Sequence, residues 1–549
     1  MIELLPSKAG YRPGDTVVVE VRGLAGPATL TVRHLGTLVV EVAVDEASPV
    51  ELPALPAGGY GIELVTADGV IQGRTALEIT ADARTTLRYG FVVDYRPGRD
   101  LDAIADNIRR LHLTGMQFYD WAYRHADLTG GGETYDDALG QPVSLDTVRS
   151  LIRTCHEVGT DALGYAAVYA VGPHEWAKWE HDALLTAAGN AYALGDFLFI
   201  VDPAAVDWLD HFTADLSAAT AKVGFDGFHL DQYGYPKRAH RPDGELVDVA
   251  RSFSTMITSV RDSLPDARLV FNNVNDFPTW SSANAPQDAV YIEVWAPHVG
   301  LEHLAQVVAR ARAVSAGKPV VIAAYQHVYD NAPASVSDLA TALTMATLYS
   351  HGATQLLCGE ADRILVDPYY VRNHVVESST ADLLRRWYDF LVEHAELLTA
   401  QGISEVTGSY ADSYNDDIDV GYTDATVTEF ATAGTVWRRI TSVGDVLVVH
   451  LINLTGQDDT LWDAARNQPG DTGVGTLRIR RVGPGLPRVR VADPDRQAHL
   501  IDLDVTADDE CFARVELPPP HLWQLVLIDP SAEEPSPTTR SLDAPEISS

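Results

Sequence analysis

The hydrophobic pattern of the chain changes character twice. Up to about residue 84, apolar and polar positions alternate in short runs: Thr16–Val21, Ala28–Val32, Thr37–Val42, Tyr60–Val65 and a run ending at Ile79. Turn-forming Pro13-Gly-Asp and Pro56-Ala-Gly-Gly lie between them. Period-two alternation bounded by turns predicts β-strands. Several short strands at this spacing predict an immunoglobulin-like β-sandwich over residues 1–84. It carries no obvious chemistry and reads as a packing or spacing domain, with carbohydrate binding as the alternative.

From 85 to 400, short apolar runs alternate with longer helical periods. Eight strands are predicted: Tyr89–Asp94, Gly115–Asp120, Ala162–Val168, Phe225–Asp231, Leu269–Val274, Val290–Val294, Val320–Tyr325 and Thr354–Cys358. Helical stretches fall between most of them, such as Leu101–Leu111, Ser144–Val158, Ala204–Lys222, Leu304–Ala316 and Val336–Tyr349. Eight strands alternating with helices predict a (β/α)₈ TIM barrel. The long interval between the third and fourth strands reads as an elaborated loop over the site. From 401 to 530 strand alternation returns, as in Thr435–Ile440, Asp445–Ile452, Leu477–Arg480 and His521–Ile528, and predicts a second β-sandwich. The multidomain α/β expectation is therefore sandwich, barrel, sandwich. Residues 531–549, rich in Pro, Ser and Glu, read as a disordered tail.

Charge narrows the partners. Lys+Arg number 40 against 77 Asp+Glu, a formal net charge of −37 over 549 residues. Nucleic acid and anionic membrane surfaces need a basic footprint and are excluded; a neutral partner suits this chain. Three widely spaced cysteines, Cys155, Cys358 and Cys511, suggest neither a disulfide framework nor a zinc site. The start, Met-Ile-Glu-Leu-Leu-Pro, has no basic region followed by an apolar run, and no apolar stretch is long enough to span a bilayer. The expectation is a soluble, cytoplasmic protein without metal or organic cofactor. Asp412, Asn415, Asp416, Asp417 and Asp419 lack the EF-hand spacing and read as a solvated acidic loop rather than a calcium site.

Barrel enzymes carry their chemistry at the C-terminal ends of the strands. Those ends read Asp94-Tyr-Arg, Tyr119-Asp120-Trp, Tyr169, Asp231-Gln232-Tyr, Asn272-Asn273, Glu293-Val-Trp295, Tyr325-Gln-His and Gly359-Glu360. Acids and amides bind hydroxyls and aromatic faces stack on pyranose rings, so this composition points to a sugar. Glycoside hydrolysis commonly uses two carboxyl groups. Asp231 ends the stretch Gly224-Phe-Asp-Gly-Phe-His-Leu-Asp and is the candidate nucleophile; Glu293, with Tyr291 and Trp295 on either side, is the candidate acid/base. Asp94, Asp120 and Glu360 compete for these roles or bind hydroxyls. His229 shares the face of Asp231 by strand alternation and lines the barrel beneath it, or is a structural core histidine.

Four motifs resemble the dextranases of glycoside hydrolase family 66, which also contains cycloisomaltooligosaccharide glucanotransferases: Gln117-Phe-Tyr-Asp-Trp-Ala-Tyr-Arg-His125, Gly224–Gly234, Tyr291-Ile-Glu-Val-Trp295, and Gly359-Glu360 with Pro368-Tyr-Tyr. The resemblance implies an endo-acting, retaining hydrolase of α-1,6-linked glucans. It places the nucleophile on Asp231, the acid/base on Glu293, and sugar contacts on Tyr119, Asp120, Asn273 and Glu360. Family dextranases are typically secreted, so the absence of a signal suggests imported isomalto-oligosaccharides as substrate. No segment between 85 and 400 is long and strand-rich enough for the binding module typical of the glucanotransferases, which favours hydrolysis. A transglycosylase and a non-catalytic carbohydrate-binding protein remain the alternatives, and the oligomeric state stays open.

Overall fold

The computed structural model describes residues 2–411 and 414–530. The expected tail, 531–549, and Asp412 of the acidic loop lie outside the described residues.

At the N-terminus, a three-stranded sheet (Glu3–Pro6, Val17–Arg22, Pro49–Leu52) faces a four-stranded one (Ala28–His34, Thr37–Val44, Gly58–Thr66, Ile71–Ile79). Alternate residues of Val17–Arg22 turn inward, and Val17, Val19 and Val21 share one core with Leu30, Val32, Ile62 and Leu64. The two sheets thus bury a core of their own.

The central sheet has eleven strands, most of them parallel. In spatial order, Tyr89–Val92, Gly115–Phe118, Asp161–Ala167, Gly227–Asp231, Arg268–Asn272, Ala289–Glu293 and Val320–Ala323 each pair with the next. The segment 354–359 then meets both edges of this curl. Thr354 and Gln355 pair with Val321 and Ile322 on one side, and Gly359 pairs with Phe91 on the other. The sheet is therefore TIM-barrel-like, and the last predicted strand is two short pieces, Thr354–Gln355 and Cys358–Gly359. Every residue of the first, second and seventh strands is buried, as expected of parallel strands covered on both faces.

Local signals fix where each strand delivers its end. Asp100 caps Leu101–Arg110 by accepting from the Ala103 N–H, and Ser144 caps Leu145–Glu157 through Thr147. Val206–Val223 ends on Gly224 at φ +101, a left-handed cap that turns the chain into Gly227–Asp231. Three further helices, Val249–Ser263, Leu301–Val314 and Ala334–Ser350, follow the later strands. Ser378–Glu393 carries the N-terminal sandwich. A Cβ on Gly59 would lie 2.4 Å from the Val392 carbonyl, so strand and helix meet backbone to backbone. Arg74 pairs with Glu393 at 2.6 Å beside that contact.

In the C-terminal region a four-stranded sheet (Ile418–Tyr422, Gly475–Arg480, Val505–Ala507, Phe512–Leu517) shares a core with a larger one containing Val436–Val443, Val446–Asn453, Arg488–Ala492 and Trp523–Asp529. The outer face of the larger sheet packs on the barrel, where Trp523 meets Trp387, Phe390 and Tyr349. Ala334–Ser350 lies under it and is buried on nearly every face. In the acidic loop, Asp416 and Asp419 are exposed, and Asp416 and Asp417 pair at the surface with Arg480. Among the described residues, no group of three or more His, Cys, Asp or Glu is arranged to hold a metal ion, and no helix is long and apolar enough to cross a membrane.

Candidate active site

Parallel pairing sets which side chains share a face. Tyr165 is level with His229, His229 with Val270, and Asn272 with Tyr291. Asp231, Asn272 and Glu293, one from each of three successive strands, accordingly converge on the C-terminal mouth of the barrel. They line a cavity of about 250 Å³ together with Gln117, Tyr119, Tyr165, Tyr233, Tyr291, Trp295, Tyr325, Tyr369 and Tyr370. A larger cavity, about 390 Å³, lies between the N-terminal sandwich and the opposite end of the barrel. Three of its lining cations, Lys8, Arg88 and Arg268, pair there with Asp15, Glu78 and Asp161.

All four carboxylate oxygens of the pair hold a donor. Asp231 Oδ2 accepts from the Tyr165 hydroxyl at 2.7 Å and Oδ1 from Asn272 Nδ2 at 2.7 Å. Glu293 Oε1 accepts from the Tyr325 hydroxyl at 3.0 Å and Oε2 from the same Asn272 nitrogen at 3.1 Å. One nitrogen thus touches both acids, and their facing oxygens lie within about 6 Å of each other. Burial pushes the Glu293 carboxyl up to about 7, with the Asp231 charge adding to the effect and the Asn272, Tyr325 and Trp295 donors opposing it. Burial also raises Asp231, against the Tyr165, Asn272 and Gln232 donors. Asp231 ionises first, and its charge then helps to keep the proton on Glu293.

His229 lies below Asp231, its Nδ1 3.3 Å from the Tyr89 hydroxyl and its ring edge-on to Tyr291. Burial lowers it to about 3, so it is neutral at neutral pH. Tyr119 stacks on Tyr370 with ring centroids 4.2 Å apart, and Trp295 and Tyr325 meet at 5.7 Å, giving two aromatic walls. Asp120, at φ +46, is held well above the usual carboxylate range by burial and by Asp137 and Asp231.

Other predicted residues sit elsewhere. Glu360 accepts from the Val93 and Asp94 N–H groups at 2.6 and 2.8 Å and from Arg99 at 2.9 Å, and so ties the last strand to the end of the first. Asp94 is engaged by Arg96 beside it. Tyr169 stands behind Tyr233, stacked on it and bonded to its N–H. Asn273 is fully buried on the other face of its strand, where Nδ2 donates to the Phe271 and Tyr291 carbonyls and Oδ1 accepts from Ser282. Gln232 lines the cavity wall and donates to the Asn272 and Phe277 carbonyls at 3.1 and 3.0 Å. Beside the expected Tyr325, the pair uses Asn272 and Tyr165 as donors, both absent from the expected contacts; a period-two count from Asp231 and Glu293 identifies that face.

The profile of glycosyl hydrolase family 66 matches residues 6–527. The chain belongs to glycosyl hydrolase family 66. A family relative, the cycloisomaltooligosaccharide glucanotransferase of Niallia circulans, is 26% identical over 410 residues, 65% of this chain and 42% of the relative. The chain therefore spans less than half the length of that protein. A dextranase of Streptococcus salivarius is 28% identical over 113 residues, covering 19% of this chain and 14% of that protein. The crystal structure of a Paenibacillus sp. cycloisomaltooligosaccharide glucanotransferase, complexed with cycloisomaltoheptaose, superposes with a TM-score of 0.84 at 18% identity. It covers 96% of this chain and 100% of that one. At that identity the match shows a shared fold.

Proposed function

We propose that this family 66 protein is a retaining, endo-acting enzyme that hydrolyses α-1,6-linked glucans such as dextran or isomalto-oligosaccharides. Asp231 attacks the anomeric carbon as the Glu293 proton passes to the departing glycosidic oxygen, leaving a glycosyl ester on Asp231. The Glu293 carboxylate then takes a proton from water, which cleaves the ester. The observation that carries this reading is the single Asn272 nitrogen shared by two carboxylates inside an aromatic-lined cavity. It keeps the pair close, as in retaining enzymes with carboxyls ~5–5.5 Å apart and unlike inverting ones at ~6.5–9.5 Å. The higher pKa of Glu293 suits the acid, and the partly exposed Trp295 supplies a face on which a sugar ring stacks. The domain division near residues 84 and 400 belongs to the same proposal, supported by the separate cores of the two flanking sandwiches.

A second reading is transglycosylation, in which a sugar hydroxyl replaces water in the second step. The glucanotransferase relatives favour it. The experiment is a time course of products from end-labelled isomalto-oligosaccharides and dextran, with wild type beside Glu293→Gln. Short linear products from wild type and almost none from the variant support hydrolysis; cyclic or lengthened products support transfer. No cleavage of any α-1,6-glucan by wild type overturns both.

A further inference from the structure

We propose that Asn272 is a positioning residue that lends its amide hydrogens to whichever of the two carboxylates carries charge as the reaction proceeds. This rests on the roles of Asp231 and Glu293 proposed above. An amide nitrogen carries two hydrogens and no acceptor, so only the nitrogen end of Asn272 can serve both acids. It does so at 2.7 and 3.1 Å, the shorter contact going to the nucleophile.

The neighbouring Asn273 provides the contrast. A structural asparagine satisfies both ends of its amide, as Asn273 does with two carbonyls and the Ser282 hydroxyl. Asn272 gives its hydrogens to two carboxylates and leaves Oδ1 buried without a partner. Buried acceptors are rarely left so. The residue is fixed from behind by Gln232, whose Nε2 donates to the Asn272 carbonyl while its Oε1 accepts from the Gly234 N–H.

The exchange follows the chemistry step by step. In the free enzyme Asp231 is charged and takes the stronger donation. When Asp231 becomes an ester and Glu293 has given its proton to the leaving group, the charge sits on Glu293, and the same nitrogen supports it as the base. The titratable groups facing the pair are Asp120, Tyr119, Tyr165, Tyr169 and Tyr233 toward Asp231, and Tyr291, Tyr325 and Tyr370 toward Glu293. Burial pushes the tyrosines up, so they stay neutral near pH 7, and it raises Asp120 as well. Tyr165 and Tyr325 each donate to one acid only, on the oxygen that Asn272 does not touch. His229 beneath is neutral as well.

The test uses Asn272→Ser and the isosteric Asn272→Asp, each checked for unchanged melting behaviour. Carboxyl ¹³C NMR on glutamate-labelled protein, with Glu293 assigned by its loss in Glu293→Gln, gives the Glu293 midpoint without any need for turnover. Removing the amide donor is expected to move that midpoint up by about one pH unit. Both limbs of the kcat/KM profile should rise with it. The rate should fall roughly tenfold or more both on dextran and on an α-glucosyl fluoride, which leaves without a proton, because both carboxylates are served. An unmoved midpoint in folded variants overturns the assignment even if wild type is active. An inactive wild type with a shifted midpoint instead overturns the reaction and keeps the coupling.

Discussion

Replacing Glu293 by Gln should make the protein progressively more stable than wild type as pH rises. Burial and the Asp231 charge lift the Glu293 carboxyl from 4.5 to about 7. The folded chain therefore keeps this proton up to about pH 7, whereas the unfolded chain loses it near 4.5. Between these values the native state binds more protons than the unfolded one, and stability falls with pH. At about 1.4 kcal/mol per pKa unit, the ionised carboxylate costs roughly 3 kcal/mol above pH 7 and nothing below pH 4.5. Glutamine cannot ionise and escapes that cost. It adds a pH-independent penalty of its own, because its amide meets the Asn272 amide, so the change in the difference is the informative quantity. Urea unfolding of both proteins, followed by tryptophan fluorescence at about pH 4.5, 6, 7 and 8.5, should show the variant gaining roughly 3 kcal/mol on wild type across the series. A constant difference would mean that Glu293 ionises at its ordinary value, and the argument for it as the proton donor would fail.

Three further outcomes are expected. Tyr165→Phe removes the 2.7 Å donor to Asp231; the acidic limb of kcat/KM should move up and the rate fall roughly tenfold, with folding intact. Glu360→Ala removes the buried carboxylate that Arg99 Nη2 holds and leaves two strand-end N–H groups unpartnered. It should cost about 3–5 kcal/mol in denaturant unfolding while any active folded fraction keeps a normal pH profile. Gly59→Ala places a Cβ 2.4 Å from the Val392 carbonyl; it should lower the unfolding free energy by about 1–3 kcal/mol, with kinetics at low temperature unchanged.

The architecture was largely legible in the hydrophobic pattern, because parallel strands covered on both faces leave apolar runs of distinctive length. Seven of the eight predicted barrel strands overlap single observed ones. The last, Thr354–Cys358, is split because its two ends pair with different edges of the curled sheet, a constraint no local window contains. Asp231 and Glu293 stood out as acids ending apolar runs. Their partners did not: choosing Asn272 over Asn273 needs the strand's facing, and Tyr165 looks like any aromatic inside a strand until its register with His229 is fixed. Glu360 and Asp94 also end strands, yet Arg99 and Arg96 draw them into a cluster outside the cavity that contains Asp231. Tyr369 and Tyr370 arrive on a loop after the last strand, and loop paths depend on tertiary contacts.

The most direct test of the central claim is to trap the glycosyl-enzyme. Incubation with a fluorinated α-glucosyl fluoride that forms the ester faster than it is hydrolysed, followed by proteolysis and mass spectrometry, should place one sugar on the peptide containing Asp231. Asp231→Asn should remain unlabelled. Attachment to another carboxylate, or turnover by wild type with inverted product and no adduct, would contradict the account.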